Sequence, residues 1–174
     1  MSSGQMLFVI GSMILLAKLA VSTNTFFADN ETVLHQAETI TTATSIGQSV
    51  LEKIGVRQYD NNYPNGNDTL SSSVFVPAMN LGRDVGEVAG KDTMFNDIDD
   101  FRGFRDSVAT PRFGKFYVDC SVCYVAETSP FDSSGVQTYL KKVEVTVSNS
   151  YLIDPTNPLR LSSPLRVSRL IAYD

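Results

Sequence analysis

Residues 1–55 carry the pattern that most limits what this chain can fold into. Residues 4–20 read GQMLFVIGSMILLAKLA, and no charged residue occurs from Met6 to Ala17. Beyond this run the apolar residues recur every three or four positions, which places them on one face of a helix. They are Phe27, Leu34, Ala37, Ile40, Ala43, Ile46, Val50, Leu51 and Ile54. No proline interrupts this stretch after Phe8, and the first strong stop is Gly55.

This pattern predicts one helix of about 50 residues, which at a rise of 1.5 Å per residue is roughly 75 Å long. Its first half is apolar on nearly all sides, and its second half is amphipathic. A chain of 174 residues makes one compact domain, which cannot bury a rod of that length. We therefore expect residues 1–28 to project as an apolar stem, into lipid or among other copies of the chain. Residues 29–174 are expected to form the globular domain.

Two other interpretations of the apolar run stay open. A secretory signal begins with basic residues, and Met1–Gln5 has none, although Ala20–Ser22 resembles a cleavage site. A single transmembrane helix needs about 20 apolar residues. Met6–Ala28 reaches that length only if Lys18 and Asn24 are included.

Composition argues against several other classes of protein. The net charge is −5 and the basic residues are scattered, so no nucleic-acid partner is expected. Cys120, Cys123 and His35 are too few for a closed zinc site. No Ser-His-Asp arrangement, phosphate loop or HExxH motif is visible. We therefore predict no catalytic residues, no cofactor and no enzymatic activity.

The remainder of the chain favours an antiparallel sheet, and hence an α+β fold. Val143, Val145 and Val147 alternate with polar residues, which predicts a half-buried strand within Val136–Ser148. Further strands are expected at Ser73–Val76, Lys115–Ala126, Leu159–Leu161 and Leu165–Ile171. Short connections favour antiparallel pairing, with the second half of the helix, to about residue 54, packed on one face of the sheet.

Four segments, in this order along the chain, resemble parts of type IV pilins and pseudopilins. Ala43–Ile54 resembles the close of the long helix in minor pilins of the PilV and MshD types. Phe95–Phe104, FNDIDDFRGF, resembles an acidic loop of MshD-like proteins. Tyr139–Ser148, YLKKVEVTVS, resembles a strand of the same group, and Leu165–Tyr173 resembles its closing strand.

The resemblance implies a structural subunit of a type IV pilus-like helical filament, or fimbrium. Such a subunit is inserted in the inner membrane by a transmembrane helix before assembly and ends in an extracellular filament on the cell surface. Its partners would be copies of itself, other pilins and the pilus assembly machinery. The residues expected to drive assembly lie in the stem and are Gln5, Phe8, Ile10, Ile14, Leu15 and Leu19. The alternatives are a pseudopilin of a type II-like secretion system and a single-pass, membrane-anchored extracytoplasmic binding domain.

The start of the chain departs from the family pattern. Family members carry a short basic leader that is cut after glycine, which would make Gly4 and Gln5 the processing site, but no basic residue precedes them. If the chain instead starts at Met1, Gln5 takes the place of the family glutamate that pairs with a neighbour's terminal amine. The proline common partway along the family's stem is also missing.

The cysteine motif Cys120-Ser121-Val122-Cys123 has two alternative states. Tyr124 stands where covalent haem attachment needs histidine. A local disulfide and two unpaired thiols remain. Residues three apart in a regular strand point to opposite faces, so a disulfide would require a bulge or turn.

The acidic loop has two alternative partners for its carboxylates. Clustered oxygens of Asp97, Asp99 and Asp100 would suit a calcium ion. Loop carboxylates more often pair with neighbouring cations, here Arg102 and Arg105. We predict the ion pairs and therefore no metal site, and keep calcium as the alternative.

Overall fold

The computed structural model describes residues 2–61, 71–150, 152 and 163–173. One long helix precedes five strands, which is the predicted α+β arrangement. The helix is α1 (Ser3–Gly55), and the strands are β1 (Arg105–Thr110), β2 (Gly114–Ala126), β3 (Ser129–Ser133), β4 (Leu140–Ser148) and β5 (Leu165–Ala172). Two short 3₁₀ helices, Ser72–Val74 and Asp99–Phe101, lie between α1 and β1. The strand predicted at Leu159–Leu161 lies outside the described residues.

The chain divides into two compact units, Met1–Glu38 and Thr39–Asp174. The division falls inside α1, at Thr39, which is the first buried residue of the helix. The predicted division after residue 28 followed the end of the apolar run instead. The compact unit begins later, where the helix first buries a side chain.

The sheet is antiparallel throughout and has the strand order β1-β2-β4-β5, with β3 paired to β2. The predicted strands at Lys115–Ala126 and Leu165–Ile171 are confirmed as β2 and β5, and the one within Val136–Ser148 is confirmed as β4. Ser73–Val76 is not a strand, because its first residues form the 3₁₀ helix Ser72–Val74.

Helix and sheet meet along a stripe of buried helical residues. The stripe consists of Thr39, Ala43, Gly47, Leu51 and Ile54, spaced three or four apart. At Gly47 the backbone comes so close to the sheet that an added Cβ would lie 2.9 Å from Val167 Cγ2 on β5 and 3.5 Å from Val147 Cγ2 on β4. The amphipathic second half of the helix therefore packs on the sheet, as its periodicity predicts.

Strand alternation gives the sheet one buried face. On β2 this face carries Phe116, Val118, Cys120, Val122 and Tyr124, and on β4 it carries Lys141, Val143, Val145 and Val147. Lys141 is thus a charged residue in a row of valines. The hairpin from β1 to β2 turns at Gly114, whose φ of +70° favours glycine.

Three phenylalanines fix the acidic loop onto the core. Phe95, Phe101 and Phe104 are buried and pack edge to face, with ring centroids 4.9 to 5.7 Å apart. Aromatic pairs in this geometry stabilise by about 0.5–1.5 kcal/mol beyond their burial. The carboxylates between these rings are therefore held in a fixed position.

Candidate functional site

The stem, residues 3–28 of α1, exposes every one of its side chains within this chain. Leu7, Phe8, Val9 and Ile10 are consecutive, and each is more than half exposed. Successive residues of a helix are rotated by about 100°, so four in a row cover its whole circumference. The stem is therefore apolar on all sides. By length and composition the helix could cross a membrane, a test that an N-terminal signal sequence also passes.

Hydroxyl groups of the stem at Ser12 and Thr23 are satisfied by the helix itself. Ser12 Oγ donates to the Val9 carbonyl at 2.8 Å, and Thr23 Oγ1 donates to the Leu19 carbonyl at 2.8 Å. A hydroxyl bonded in this way needs no water when its surroundings become apolar. These polar residues therefore do not oppose burial of the stem in lipid or protein.

Gln5 has a local role at the helix start. Its side-chain Oε1 accepts a hydrogen bond from the backbone N–H of Ser2 at 3.2 Å. This is the reciprocal half of a capping box, in which the third helical residue reaches back to the cap. The predicted assembly residues Phe8, Ile14 and Leu15 are all exposed. Ile10 and Leu19 are exposed as well.

A second candidate site is a buried lysine among carboxylates, which we call the Lys141 cluster. Lys141 is 0% exposed and donates to Asp99 Oδ1 at 2.8 Å and to the Tyr59 carbonyl. Its Nζ lies 3.7 Å from Asp60 Oδ2 and 4.4 Å from the centre of the Tyr59 ring. The centre of the Tyr124 ring lies 5.3 Å from the same Nζ. One ammonium therefore joins β4 to the segment after α1 and to the acidic loop.

Sequence reasoning missed Lys141, although a signal was available. Lys141 is two residues before Val143, so the alternation that places Val143 on the buried face also places Lys141 there. Asp60 carried no such signal. Asp60 is buried, and its Oδ2 lies within hydrogen-bonding distance of Val76 N and Tyr124 Oη, at 2.8 and 3.4 Å.

Asp97 and Asp100 organise the acidic loop through backbone amides. Asp97 Oδ1 accepts hydrogen bonds from the N–H groups of Asp99 and Asp100, and its Oδ2 accepts one from Asn61 N. Asp100 Oδ2 accepts from Asn96 N and Asp97 N. The carboxylates thus hold the loop in a tight turn against the segment that follows the helix.

Burial and crowding raise the pKa values of three carboxyls, those of Asp97, Asp99 and Glu87. Desolvation, followed by the charges of Asp99 and Asp100, raises the pKa of Asp97 to about 8. Desolvation and contact with the Asp100 carboxyl raise the pKa of Glu87 to about 7. Desolvation also raises the pKa of Asp99, against the opposing effect of Lys141. These three carboxyls therefore release their protons less readily than free carboxyls do.

The predicted partners of the acidic loop were wrong. Arg102 donates to the carbonyls of Ala78 and Leu81, and Arg105 pairs with Asp119 on the neighbouring strand at 2.6 Å. Arg102 directly follows the short helix Asp99–Phe101, and Arg105 is the first residue of β1. The ammonium that reaches Asp99 comes instead from Lys141.

The two cysteines are free thiols, and the disulfide that we considered is not formed. Strand β2 runs regularly through both, with Cys120 opposite Val145 and Cys123 opposite Lys142 on β4. The register shifts only farther on, between Val125 and Ala126. Because no bulge brings the thiols together, they stay on opposite faces. Burial raises the pKa of Cys120 to about 12, which makes it a poor nucleophile.

Protein-family models, curated protein sequences and solved structures were compared with this chain, and none matches it.

Proposed function

We propose that this chain is a structural subunit of a type IV pilus-like filament that polymerises through its stem. The observation that carries this proposal is the apolar surface on all sides of the stem, which the described residues leave exposed. A partner that docked on one side would leave the other sides in water. The stem therefore requires surroundings that enclose it, as a bilayer does before assembly and neighbouring stems do in a filament core.

Burial of the stem supplies enough free energy for a durable polymer. At about 25 cal/mol per Å², each 300 Å² or so of apolar stem surface removed from water contributes roughly 7 kcal/mol before the costs of association. A stem in a helical bundle has several neighbours, and each contributes such a contact. Contacts between unlike surfaces of identical subunits extend into a helix wherever the rotation from one subunit to the next does not close a ring.

The second compact unit of the chain supports the same function. Residues 39–174 have their own core of helix and sheet, so a subunit can display this unit without relying on its neighbours for folding. The same architecture suits a secretion pseudopilus, which is a shorter filament. It also suits a membrane-anchored binding domain, which would not polymerise.

A charge placed in the stem tests the proposal. Ile14 is 61% exposed and lies in the charge-free run, whereas Val136, outside the stem, is 66% exposed. Ile14→Asp would bury an unpaired carboxylate in the filament core, at a cost of several kcal/mol per subunit. Val136→Asp makes the same chemical change at a similar exposure and is the matched control.

Each full-length chain is purified in detergent, the detergent is removed, and filaments are counted by negative-stain electron microscopy. We expect filaments from the parent chain and from Val136→Asp, and none from Ile14→Asp. Equal filament yield from Ile14→Asp would refute the stem as the polymerising element. A parent chain that enters liposomes but never forms filaments would favour the membrane-anchored binding domain.

A further inference from the structure

We propose that the acidic loop and the segment before it form a calcium site, with Asp84, Asp97, Asp100 and Glu87 as the protein ligands. This site differs from the set Asp97, Asp99 and Asp100 considered from sequence, because Asp99 is bonded to Lys141. It does not depend on the filament proposal, since all four carboxyls lie in the unit of residues 39–174.

The geometry of three carboxylates fits one cation. One oxygen from each of Asp84, Asp97 and Asp100 lies within 4.8 Å of the others. Two oxygens that both lie 2.3–2.6 Å from a calcium ion are at most about 5 Å apart. The three oxygens can therefore reach one ion with little movement of the backbone.

Two further oxygens in this place are buried and unsatisfied. Among the residues that the structure describes, no group donates a hydrogen bond to Asp100 Oδ1 or to Glu87 Oε1. Asp100 is 0% exposed, so water does not compensate its free oxygen. The two carboxyls contact each other, and two carboxylate oxygens are both acceptors. Such a contact requires a positive charge or a proton between them.

The charge balance favours a divalent cation over a single proton. Within the described ranges, four carboxyls and one ammonium are buried; the carboxyls are those of Asp60, Asp97, Asp99 and Asp100. The ammonium of Lys141 forms ion pairs with Asp99 and Asp60. In the same ranges no lysine or arginine forms an ion pair with Asp84 or any of its three partners in the site. One proton would neutralise one of the four site carboxylates, whereas a divalent ion neutralises two of them and can coordinate all four.

Calcium is the ion that these ligands suit best. All four are carboxylates, which are hard ligands, and they come from two loop segments around residues 84–87 and 97–100. Calcium accepts six to eight oxygens in flexible geometry, whereas magnesium demands a near-ideal octahedron and keeps its waters. Asp97 Oδ2 accepts a single backbone hydrogen bond, from Asn61 N, and keeps a second lone pair for the ion.

The test uses the full-length chain in detergent, with calcium chloride as the probe. We expect isothermal titration calorimetry to show one calcium ion per chain. At a hundredfold excess over the Kd, calcium should raise the Tm by about 5–10 °C relative to EDTA. Magnesium at the same concentration should give a smaller rise.

Two ligand variants and one control locate the site. Asp84→Asn and Glu87→Gln should each weaken calcium binding at least tenfold, while their Tm in EDTA stays equal to or above that of the parent because a like charge is removed. Asp84 is exposed, so its substitution leaves the fold intact. Asp132→Asn changes an exposed carboxylate elsewhere and should leave calcium binding unchanged.

Three results would overturn the proposal. The first is the absence of calcium binding at millimolar concentration, together with a Tm that changes with pH and not with calcium. This result would mean that Glu87 and Asp100 share a proton instead of binding an ion. The second is undiminished binding in both Asp84→Asn and Glu87→Gln, or equal loss in Asp132→Asn. The third is an equal response to magnesium, which would overturn the choice of calcium.

Discussion

Removal of the buried ammonium of Lys141 should strongly destabilise the domain. Lys141→Met keeps an unbranched chain of similar size, so the packing is largely conserved while the charge is lost. The carboxylates of Asp99 and Asp60, 2.8 and 3.7 Å from Nζ, would then be buried without their counter-charge. Breaking a buried ion pair by removal of one partner costs about 3–5 kcal/mol.

This loss is large against the stability of an ordinary domain, which is about 5–15 kcal/mol. Strand β4 provides an internal control at the next residue. Lys142 points to the other face and donates to the Phe131 carbonyl at 2.8 Å, in an exposed position. Lys142→Met should cost under about 1 kcal/mol, because a single exposed hydrogen bond contributes little.

The buried thiol of Cys120 provides the assay. In a Cys123→Ser background, Cys120 reacts with a thiol reagent only when the sheet opens, since it is 4% exposed in the folded chain. A destabilisation of 3–5 kcal/mol, at 1.4 kcal/mol per factor of ten, accelerates labelling by roughly a hundred- to several-thousand-fold. Lys142→Met should accelerate it by less than about tenfold.

A double variant separates the charge effect from packing. Asp99→Asn removes one of the two carboxylates left behind, so Lys141→Met combined with Asp99→Asn should recover part of the loss. Equal labelling rates in Lys141→Met and Lys142→Met would refute the claim that Lys141 stabilises the domain by compensating the buried carboxylates of Asp99 and Asp60. Strict additivity in the double variant would show that the two side chains are not coupled.

Two further predictions concern the helix contact and the buried thiol. Gly47→Ala should destabilise the domain by about 1–2 kcal/mol, because the new Cβ overlaps Val167 Cγ2 at 2.9 Å and the cost of overpacking exceeds the gain in helix propensity. Gly11→Ala is the control, since its new Cβ has no atom within 4 Å and should leave the rate of Cys120 labelling unchanged. Equal labelling rates in the two variants would contradict the close contact at Gly47. Because burial raises the pKa of Cys120 from 9.0 to about 12, the unfolded chain loses this proton first, and urea titrations should show stability falling from pH 9 to 12. The decline should be shallower in Cys120→Ala, and an identical slope would show that the thiol is not the titrating group.

Periodicity predicted most of the fold because the elements concerned bury one face. Helix α1 and strands β2, β4 and β5 each place apolar residues at helical or alternating spacing. Strand β1 could not be found in this way, because Arg105–Thr110 is exposed on both faces except at its last residue. Strand β3, Ser129–Ser133, is short, polar and contains a proline, so it carries turn chemistry rather than a strand pattern.

The polar sites were predictable only in part, because their members are distant in sequence. The clustered aspartates of the acidic loop are evident in the sequence, but proximity along the chain suggested the nearest arginines as their partners. The true partner of Asp99, Lys141, is 42 residues away along the chain. Asp84 and Glu87 lie ten or more residues before the aspartates of the loop in the sequence and come close to them only in the folded chain. Pairing across such distances is set by the register of the sheet and by loop packing, which local patterns do not encode.

The central claim is that the stem alone drives polymerisation. The most direct measurement compares the full chain with a chain that starts at Asp29, both freed of detergent, by analytical ultracentrifugation and electron microscopy. The account predicts that the full chain sediments as filaments and that the shortened chain is a soluble monomer. Filaments formed by the shortened chain, or a full chain that remains monomeric under the same conditions, would contradict the account.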